Sequence, residues 1–421
     1  MLLSKLFTKT KREIPKDEES KNAQLLIRAG FIEKLSAGVY IFLPLGLRVL
    51  LKIDKIISEE IEKIGGQRLL MPALIPKFYW QKTNRWKTFK ELFKIKGKNN
   101  QEYGLGPTHE EVIVPLVQRY VCSYKDLPCY VYQIQTKFRD EMRPKSGLLR
   151  AREFEMKDLY SFHQDEKDLE RYYEKVKEAY FKIFERVGLR ERTYLTLASG
   201  GTFSKFSHEF QTLTPSGEDT IYICQKCNLA INKEIKKQFP RCPQCKGRNF
   251  RKEKAIEIAN IFKLGTRYTK PFDFRFIDKK GKRQLVVMGC YGIGLSRLMG
   301  TVVEVHHDNN GIIWPKEIAP FDIHLVKIKN PKSKIKGKIE KVANEIYKTL
   351  QNKGFDVLYD DQENKSPGEK LVDADLIGIP KRIVVSERTI KKNCVEVKER
   401  TEKKTRLIKI TTLLKSKNQK R

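Results

Sequence analysis

The element pattern of this chain changes once, near Pro320, and that change constrains the fold more than any other feature. Beyond it, FDIHLVKI reads as a strand, IKGKIEKVANEIYKTLQNKG as a helix, FDVLYDD as a strand, GEKLVDADLIGIP as a helix and KRIVVSER as a strand. This is the βαβαβ order of a small, largely parallel sheet, with Gly354 and Gly378 near the helix ends. Ahead of Pro320 no such alternation exists. Residues 20–64 read as helical: SKNAQLLIRAGFIEKL opens on Ser20 as N-cap, and LRVLLKIDKIISEEIEKIGG stops at a glycine pair. Between them SAGVYIFLPLG reads as a strand and turn, and QRLLMPALIP follows as an extended run. Residues 128–162 alternate strand-like runs with charged turns, 165–188 form one amphipathic helix, and 205–223 and 256–300 read as further strands. The last of these ends in a glycine-rich turn and a helix. The expected class is therefore α+β, a mixed antiparallel core followed by a separate α/β domain. The terminal KSKNQKR reads as a frayed tail.

Composition narrows the function. A chain of 421 residues accommodates two or three domains, and 40% hydrophobic residues suffice for buried cores. No run approaches the ~18 uncharged apolar residues of a membrane span. The opening MLLSKLFTKTKREIPKDEES lacks the apolar stretch of a signal peptide, so a soluble cytoplasmic protein is expected. Lys and Arg number 85 against 52 Asp and Glu, a net charge of +33. Such an excess suits a polyanionic partner such as RNA or DNA, and it also suits a merely lysine-rich soluble surface.

Four of the eight cysteines form two knuckles, CQKC and CPQC. Cys224, Cys227, Cys242 and Cys245 have the C-x2-C-x14-C-x2-C spacing that lets four thiolates surround one Zn²⁺ tetrahedrally. Such a site is closed, so its work is folding a segment of about 30 residues rather than chemistry. The neighbouring Lys226, Lys236, Lys237, Arg241, Lys246 and Arg248 either touch RNA or form a solvated surface. The remaining cysteines (Cys122, Cys129, Cys290, Cys394) are too scattered for a secreted disulfide scaffold.

Three further segments combine glycine with polar residues in ways a plain core does not need. In GLGPTHEEV, Thr108, His109, Glu110 and Glu111 follow a Gly-Pro turn. In TKFRDEMRPKSGLLRAREF, Arg139 and Glu141 alternate on one strand face, and Arg150 and Arg152 lie on the returning strand. In MGCYGIGLSRLMG, Gly289, Gly292 and Gly294 precede Arg297. Arginine on a rigid strand gives forked recognition of phosphate or carboxylate, and glycine lets backbone approach a ligand. An anion site is expected. The glycine spacing fits neither a dinucleotide fingerprint nor a Walker loop.

These segments, in this order, resemble the class II aminoacyl-tRNA synthetases, specifically the bacterial-type prolyl-tRNA synthetases, along nearly the whole chain. LLIRAGFIEKLSAGVYIFLPLG resembles the family's opening, and Gly46 through Pro72 its dimer-forming motif 1. GPTHEEV is similar to the proline-specific loop and KFRDEMRPKSGLLRAREFEMKDLYSFH to motif 2. MGCYGIGLSRLMG is similar to motif 3, and YDDQENKSPGEKLVDADLIGIPKRIVV to the anticodon-binding domain. The resemblance implies a catalytic domain over 1–223 and 251–319, a zinc-ribbon-like insert over 224–250, and an anticodon-binding domain over 320–421.

It also implies proline–tRNA ligase activity: proline and ATP, accompanied by Mg²⁺, give prolyl-adenylate, and the prolyl group passes to the 3′ end of tRNA(Pro). Arg139 would bridge the carboxylate of proline and the α-phosphate of ATP. Glu110 would accept hydrogen bonds from the secondary ammonium of proline, with Thr108 beside it. Phe154, His208 and Cys290 would line the proline pocket. Glu141 would sit on the adenine side of ATP, Arg150 beside the nucleotide and Arg297 at the γ-phosphate, while Gly292 and Gly294 leave room for it. A homodimer with no membrane attachment is implied.

Two departures from the family stand out. In SGGTFSKFSHEF, Gly200 and Gly201 are displaced from their usual place two residues before SHEF, where Phe203 and Ser204 stand. Between motifs 2 and 3, where many bacterial relatives carry an editing domain, this chain has the four-cysteine segment, so a short form without editing in cis is expected. Two other readings compete: a synthetase-like RNA-binding protein without aminoacylation, and a nucleic-acid-binding protein whose zinc ribbon does the work. Intact Thr108, Glu110, Arg139, Glu141 and Arg297 argue against the first. Three unexplained anion-site segments argue against the second.

Overall fold

A computed structural model describes residues 1–15, 18–201, 203, 206–329 and 335–415. The chain divides into two compact units, one of Leu35–Tyr40 with Ile53–Thr301 and the other of Met1–Lys34, Ile41–Lys52 and Val302–Arg421.

The first unit is built on a nine-stranded sheet. Its strands are β1 (Gln67–Arg68), β2 (Cys129–Phe138), β3 (Glu153–His163), β4 (Thr193–Ser199), β5 (Phe206–Leu213), β6 (Asp219–Cys224), β7 (Ala230–Asn232), β8 (Phe250–Gly265) and β9 (Val287–Gly294). Their order across the sheet is β5-β4-β7-β6-β8-β9-β3-β2-β1, and β8 also pairs with β5. The pairs β3–β2, β3–β9, β9–β8, β8–β6 and β8–β5 are all antiparallel, as expected for the α+β class. Side chains alternate between faces along a strand. Tyr291 on β9 and Lys157 on β3 therefore point to one face, and Cys290, Gly292 and Gly294 to the other.

The first of these faces is covered by α2 (Glu166–Arg186), which follows α1 (Glu110–Gln118) in the chain. The α2 helix is capped by Asp165, whose carboxylate accepts from the Asp168 amide at 2.8 Å. Tyr180, Phe181 and Phe184 of the helix pack around Phe210 of β5. The fully buried Lys157 donates to the Tyr180 hydroxyl and to the Tyr291 carbonyl, and burial pushes its ammonium down to about 7. The opposite face is left for the site.

Several local expectations need correction. SKNAQLLIRAGFIEKL is not one helix: it runs Lys21–Arg28 and gives way to a hairpin, Ile32–Ser36 with Val39–Phe42. Gly30 adopts φ +73°, and the Phe31 amide turns back to the Leu26 carbonyl at 2.8 Å, which closes the helix. Ser20 occupies the N-cap position in extended geometry, yet its hydroxyl makes no capping bond. Arg139 and Glu141 lie just past the end of β2 rather than on it, and Arg150 and Arg152 just before β3. MGCYGIG is a strand feeding straight into α3 (Leu295–Val305), not a glycine-rich turn. The four-cysteine segment is tied into the main sheet, since its β7 pairs with both β6 and β4.

In the second unit, β10 (Ile323–Lys327), α4 (Lys336–Asn352), β11 (Val357–Asp360), α5 (Pro367–Ile377) and β12 (Lys381–Val385) form the expected parallel module. Gly354 and Gly378 end the helices at φ +85° and +80°. Two antiparallel strands that the sequence did not disclose, β13 (Cys394–Glu399) and β14 (Arg406–Lys409), extend the sheet. The first residues of the chain shield its other edge: the Tyr359 amide donates to the Met1 carbonyl at 2.9 Å, and the Ser4 amide to Asp361 Oδ1 at 2.9 Å. Apart from Lys415, the KSKNQKR tail lies outside the described residues.

Candidate active site

Register assembles the floor of the site. Asp158 of β3 pairs with Gly292 of β9, Gly292 with Asn260 of β8, and Asn260 with Glu209 of β5. One polar row thus crosses four strands on the face that α2 leaves free. The next rows bring Cys290 beside Phe262 and Tyr160, and Gly294 beside Met156. A Cβ at Gly292 would lie 2.5 Å from Met156 Cε and 3.1 Å from Asn260 Oδ1, so glycine is what lets those two side chains close on the floor.

Two chambers open above this floor. One is lined by Leu148, Leu149, Arg150, Phe154, Glu257 and Arg297; the other by Phe89, Thr108, Glu110, Phe203, Phe262 and Cys290. Arg139, Glu141, Met156, Asn260 and Gly292 border both.

The first chamber is cationic. The Arg139 guanidinium stacks over the Phe154 ring at 5.1 Å, and its Nε is buried without a partner. Burial, and then the nearby Arg297, pull its pKa below the usual arginine value. Arg297 is held at the rim of the floor: Nε donates to the Leu149 carbonyl at 2.8 Å and Nη1 to the Glu257 carbonyl at 3.0 Å. Arg150 forks onto Glu141 through Nε at 3.0 Å and Nη2 at 2.8 Å, fixing that carboxylate.

The second chamber pairs one carboxylate with apolar walls. Glu110 opens α1, where the helix dipole favours an acid, and it is fully buried. It accepts hydrogen bonds from Thr108, from Arg85 Nη1 at 3.1 Å and from the Cys290 thiol at 3.2 Å. Phe89, Phe203, Phe262 and Met156 supply the apolar surface. Beneath it, His109 receives Lys137 at 2.7 Å on Nδ1, and burial and Lys137 together push the imidazole down to about 4. Burial alone would raise the Asp158 carboxyl, but Lys137 at 2.9 Å, His109 and the hydrogen bond from Gln133 together hold the acid below its usual value.

Chemically, the two chambers suit a small molecule carrying a cation, an apolar body and an anion, placed against a second anion, with Arg139 between them.

Of the residues singled out from sequence, Thr108, Glu110, Arg139, Glu141, Arg150, Phe154, Cys290, Gly292, Gly294 and Arg297 all border these chambers. Phe154 lies in the Arg297 chamber rather than beside Glu110. His208 borders neither chamber. It pairs with Ile261, which pairs with Tyr291, so it shares their face and meets α2, where its Nδ1 lies 2.8 Å from the Tyr173 hydroxyl. Of SGGTFSKFSHEF, Phe203 enters the Glu110 chamber and Ser204 lies outside the described residues.

Sequence reasoning missed several contributors. Arg85 is 4% exposed and paired with both Glu110 and Glu111 at 3.1 Å. Burial opposes its charge, but Glu111, Tyr268 and Glu110 together hold its pKa above the usual value. An arginine among aromatics in YWQKTNRWKTF was the available signal. Glu257 and Asn260 were missed because β8 bulges between them: Phe210 pairs with Ala259 and Gln211 with Glu257, so the alternation breaks. Glu209, whose carboxyl burial and then Glu257 push up to about 8, continues the same row.

The four cysteine sulfurs all lie within 4.8 Å of one another, with Cys224–Cys245 and Cys227–Cys242 each at 3.5 Å. A tetrahedron of ~2.3 Å metal–sulfur bonds has edges of about 3.8 Å, so the set fits one ion. A Cβ on Gly247 would lie 3.3 Å from two of the sulfurs, which explains a glycine there.

Comparison with known proteins identifies the family and the fold. Residues 93–306 match the tRNA synthetase class II core domain (G, H, P, S and T), and residues 322–416 the anticodon binding domain. The chain is 39% identical to a proline–tRNA ligase of Ehrlichia ruminantium over 424 residues, covering 97% of each protein. It is 34% identical to one of Thermosipho africanus over an alignment of 550 residues, covering 95% of this chain and 96% of that protein. Among solved structures, Giardia lamblia prolyl-tRNA synthetase in complex with prolyl-adenylate superposes with a TM-score of 0.78 at 24% identity. That superposition covers 93% of this chain and 75% of the other. At that identity the likeness bears on fold. No described helix is long and apolar enough to cross a membrane.

Proposed function

The chain belongs to the proline–tRNA ligases of the class II aminoacyl-tRNA synthetases, and from that premise we propose the roles its side chains play. Proline occupies the Glu110 chamber, its ammonium on Glu110 and Thr108 and its ring against Phe89, Phe203 and Phe262. ATP, with Mg²⁺ neutralising its polyphosphate, occupies the Arg297 chamber. The carboxylate of proline attacks the α-phosphate and pyrophosphate leaves. Arg139 cancels the repulsion between the two anions and stabilises the charge that develops between them. The prolyl group then passes to the ribose 3′-hydroxyl of the tRNA, and no side-chain nucleophile is needed. The observation that carries this reading is that Arg139 borders both chambers. Proline-dependent ATP–pyrophosphate exchange without tRNA tests it: exchange with proline supports the assignment, and its absence with every amino acid removes it.

The same reading takes residues 1–223 and 251–319 as the catalytic domain, 224–250 as a zinc-ribbon-like insert and 320–421 as the anticodon-binding domain, in the cytoplasm. Zinc would be held by Cys224, Cys227, Cys242 and Cys245, where it stabilises the fold and leaves no open position for chemistry. A homodimer would form through residues 46–72, where Leu47, Leu51 and Leu70 are 44%, 56% and 74% exposed. Sedimentation as a 49.3 kDa monomer at micromolar concentration would contradict the dimer.

A further inference from the structure

From the first cysteine knuckle to the start of β8, residues 225–249 carry seven Lys and Arg against one acid, Glu234. That is a net +6 in 25 residues of a chain whose 421 residues carry +33, several times the average density. Placement separates this segment from a merely lysine-rich surface. Lys226, Lys237, Arg241, Lys246 and Arg248 are all exposed. Among the described residues none of the five has a carboxylate within ion-pairing distance, whereas many surface cations elsewhere do, such as Lys11 with Glu33, Arg68 with Asp54 and Lys391 with Glu387. The one acid of the segment is occupied, since Glu234 Oε1 accepts the Ser199 amide at 2.8 Å. The cations are also presented on a rigid base. The four sulfurs close one end, β7 is stitched into the main sheet, and Lys236 lies 4.2 Å over the Phe250 ring.

The segment adjoins the site. Phe239 packs edge-on against Phe206 at 5.6 Å, and the Glu234–Ser199 bond holds the other side of the same hairpin. Phe203 of that hairpin lines the Glu110 chamber and packs at a tilt against Phe262, ring centroids 4.8 Å apart. In addition, β8 runs directly from Phe250 to the floor residues Glu257 and Asn260, and ten residues of strand span about 33 Å. A polyanion whose end enters the chambers and whose body follows β8 toward Phe250 would bring its phosphates to this surface.

We propose that the exposed cations of residues 225–249 form a docking surface for the phosphate backbone of the RNA substrate, independent of its sequence. The proposal rests on the ligase reading above and assigns the four-cysteine segment a function beyond its own folding. Phosphate neutralisation with counterion release supplies affinity of this kind, so it weakens with salt in proportion to the number of phosphates neutralised.

The test is the combined variant Lys226→Gln, Lys237→Gln, Arg241→Gln, Arg248→Gln, which leaves the cysteines untouched. Its KM for tRNA in aminoacylation should rise at least about tenfold at physiological salt, and the salt dependence of kcat/KM should flatten by about one unit of slope for each phosphate that is no longer neutralised. Proline-dependent pyrophosphate exchange, which involves no RNA, should stay within about twofold of the unaltered enzyme. Retained exchange with an unchanged tRNA KM and salt slope overturns the proposal. Should the variant lose exchange altogether, ultraviolet cross-linking of the unaltered protein to tRNA decides: cross-links within 225–249 support the surface, and cross-links confined to other segments overturn it. An unaltered protein showing no exchange with proline would instead defeat the ligase reading, and the same cross-linking would still judge the surface.

Discussion

The Cys290 thiol donates a hydrogen bond to Glu110 Oε1 across 3.2 Å, joining β9 to the N-terminus of α1 within the second chamber. Burial, and then the Glu110 charge, push the thiol well above its usual range. Cys290 is thus a neutral donor and not a nucleophile. Replacing it with Ala removes one hydrogen bond to a carboxylate, worth roughly 1–2 kcal/mol. The KM for proline should rise no more than about thirtyfold while exchange persists. In the native enzyme Cys290 should resist alkylation at pH 8. Complete modification within minutes, mapped by mass spectrometry, would contradict this.

Arg139→Ala should lower the rate of proline-dependent exchange by about 100-fold or more, the scale of removing one preorganised charge from a reacting centre. The fold should survive, because the guanidinium lies at the chamber boundary, its Nε without a partner, and packs on a single ring. Exchange within tenfold of the unaltered enzyme, at an unchanged melting temperature, would remove Arg139 from its role.

Much of this was legible beforehand because motif residues sit close together in the chain. Glu110 lies two residues from Thr108, and Arg297 three from Gly294. What stayed hidden depends on pairing between distant segments. His208 looked like a wall of the proline pocket, but one residue of strand alternation turns it toward Tyr173. Glu257 and Asn260 are three apart and share the cavity face only because Ile258 is the extra residue of a bulge. Arg85 is buried between two glutamates 25 and 26 residues away. No local pattern announces such a triplet. The strands β13 and β14 escaped notice because KKNCVEVKER and TRLIKI are charged enough to pass for surface loop.

Stability should depend on acidity through His109. Its folded pKa, pushed down to about 4, lies below the usual 6.5, so the unfolded chain binds the proton more tightly. Its contribution is fully present above about 6.5 and is lost as pH falls toward 4, because stability rises with pH wherever the unfolded state holds more protons. His208, also pushed down to about 4 by burial, acts in the same direction. Melting temperature should fall between pH 6.5 and 4, and His208→Asn should flatten part of that slope. An unchanged slope in the variant would assign the acid sensitivity to other groups.

Purified protein should contain one zinc per chain, bound by the four cysteines. Stripping it with a chelator should loosen residues 224–250 more than the rest of the sheet, since that segment has too few buried apolar groups to fold alone. Hydrogen exchange read segment by segment checks this. Elemental analysis without zinc, together with four reactive thiols in the segment, would refute it.

Accuracy is expected to depend on help from outside this chain. Alanine is smaller than proline and enters any chamber that admits the ring. It forfeits only the packing of the missing carbons, about 1–3 kcal/mol each, so alanyl-adenylate should form at a measurable rate. Relatives that hydrolyse alanyl-tRNA use a domain inserted between motifs 2 and 3. Here the described residues of that interval are accounted for by α2, the strands β4 to β8, the four-cysteine segment and a short hairpin, Arg275–Ile277 with Arg283–Leu285. The alignment with the Thermosipho protein runs to 550 residues although this chain has 421, so that relative carries sequence this one lacks. Four thiolates on one zinc also leave no coordination position for an attacking water. Alanyl-tRNA carrying the proline anticodon, incubated with the purified enzyme, should therefore lose alanine no faster than it does in buffer. Release well above that spontaneous rate would mean that the four-cysteine segment, or another part of this chain, edits after all.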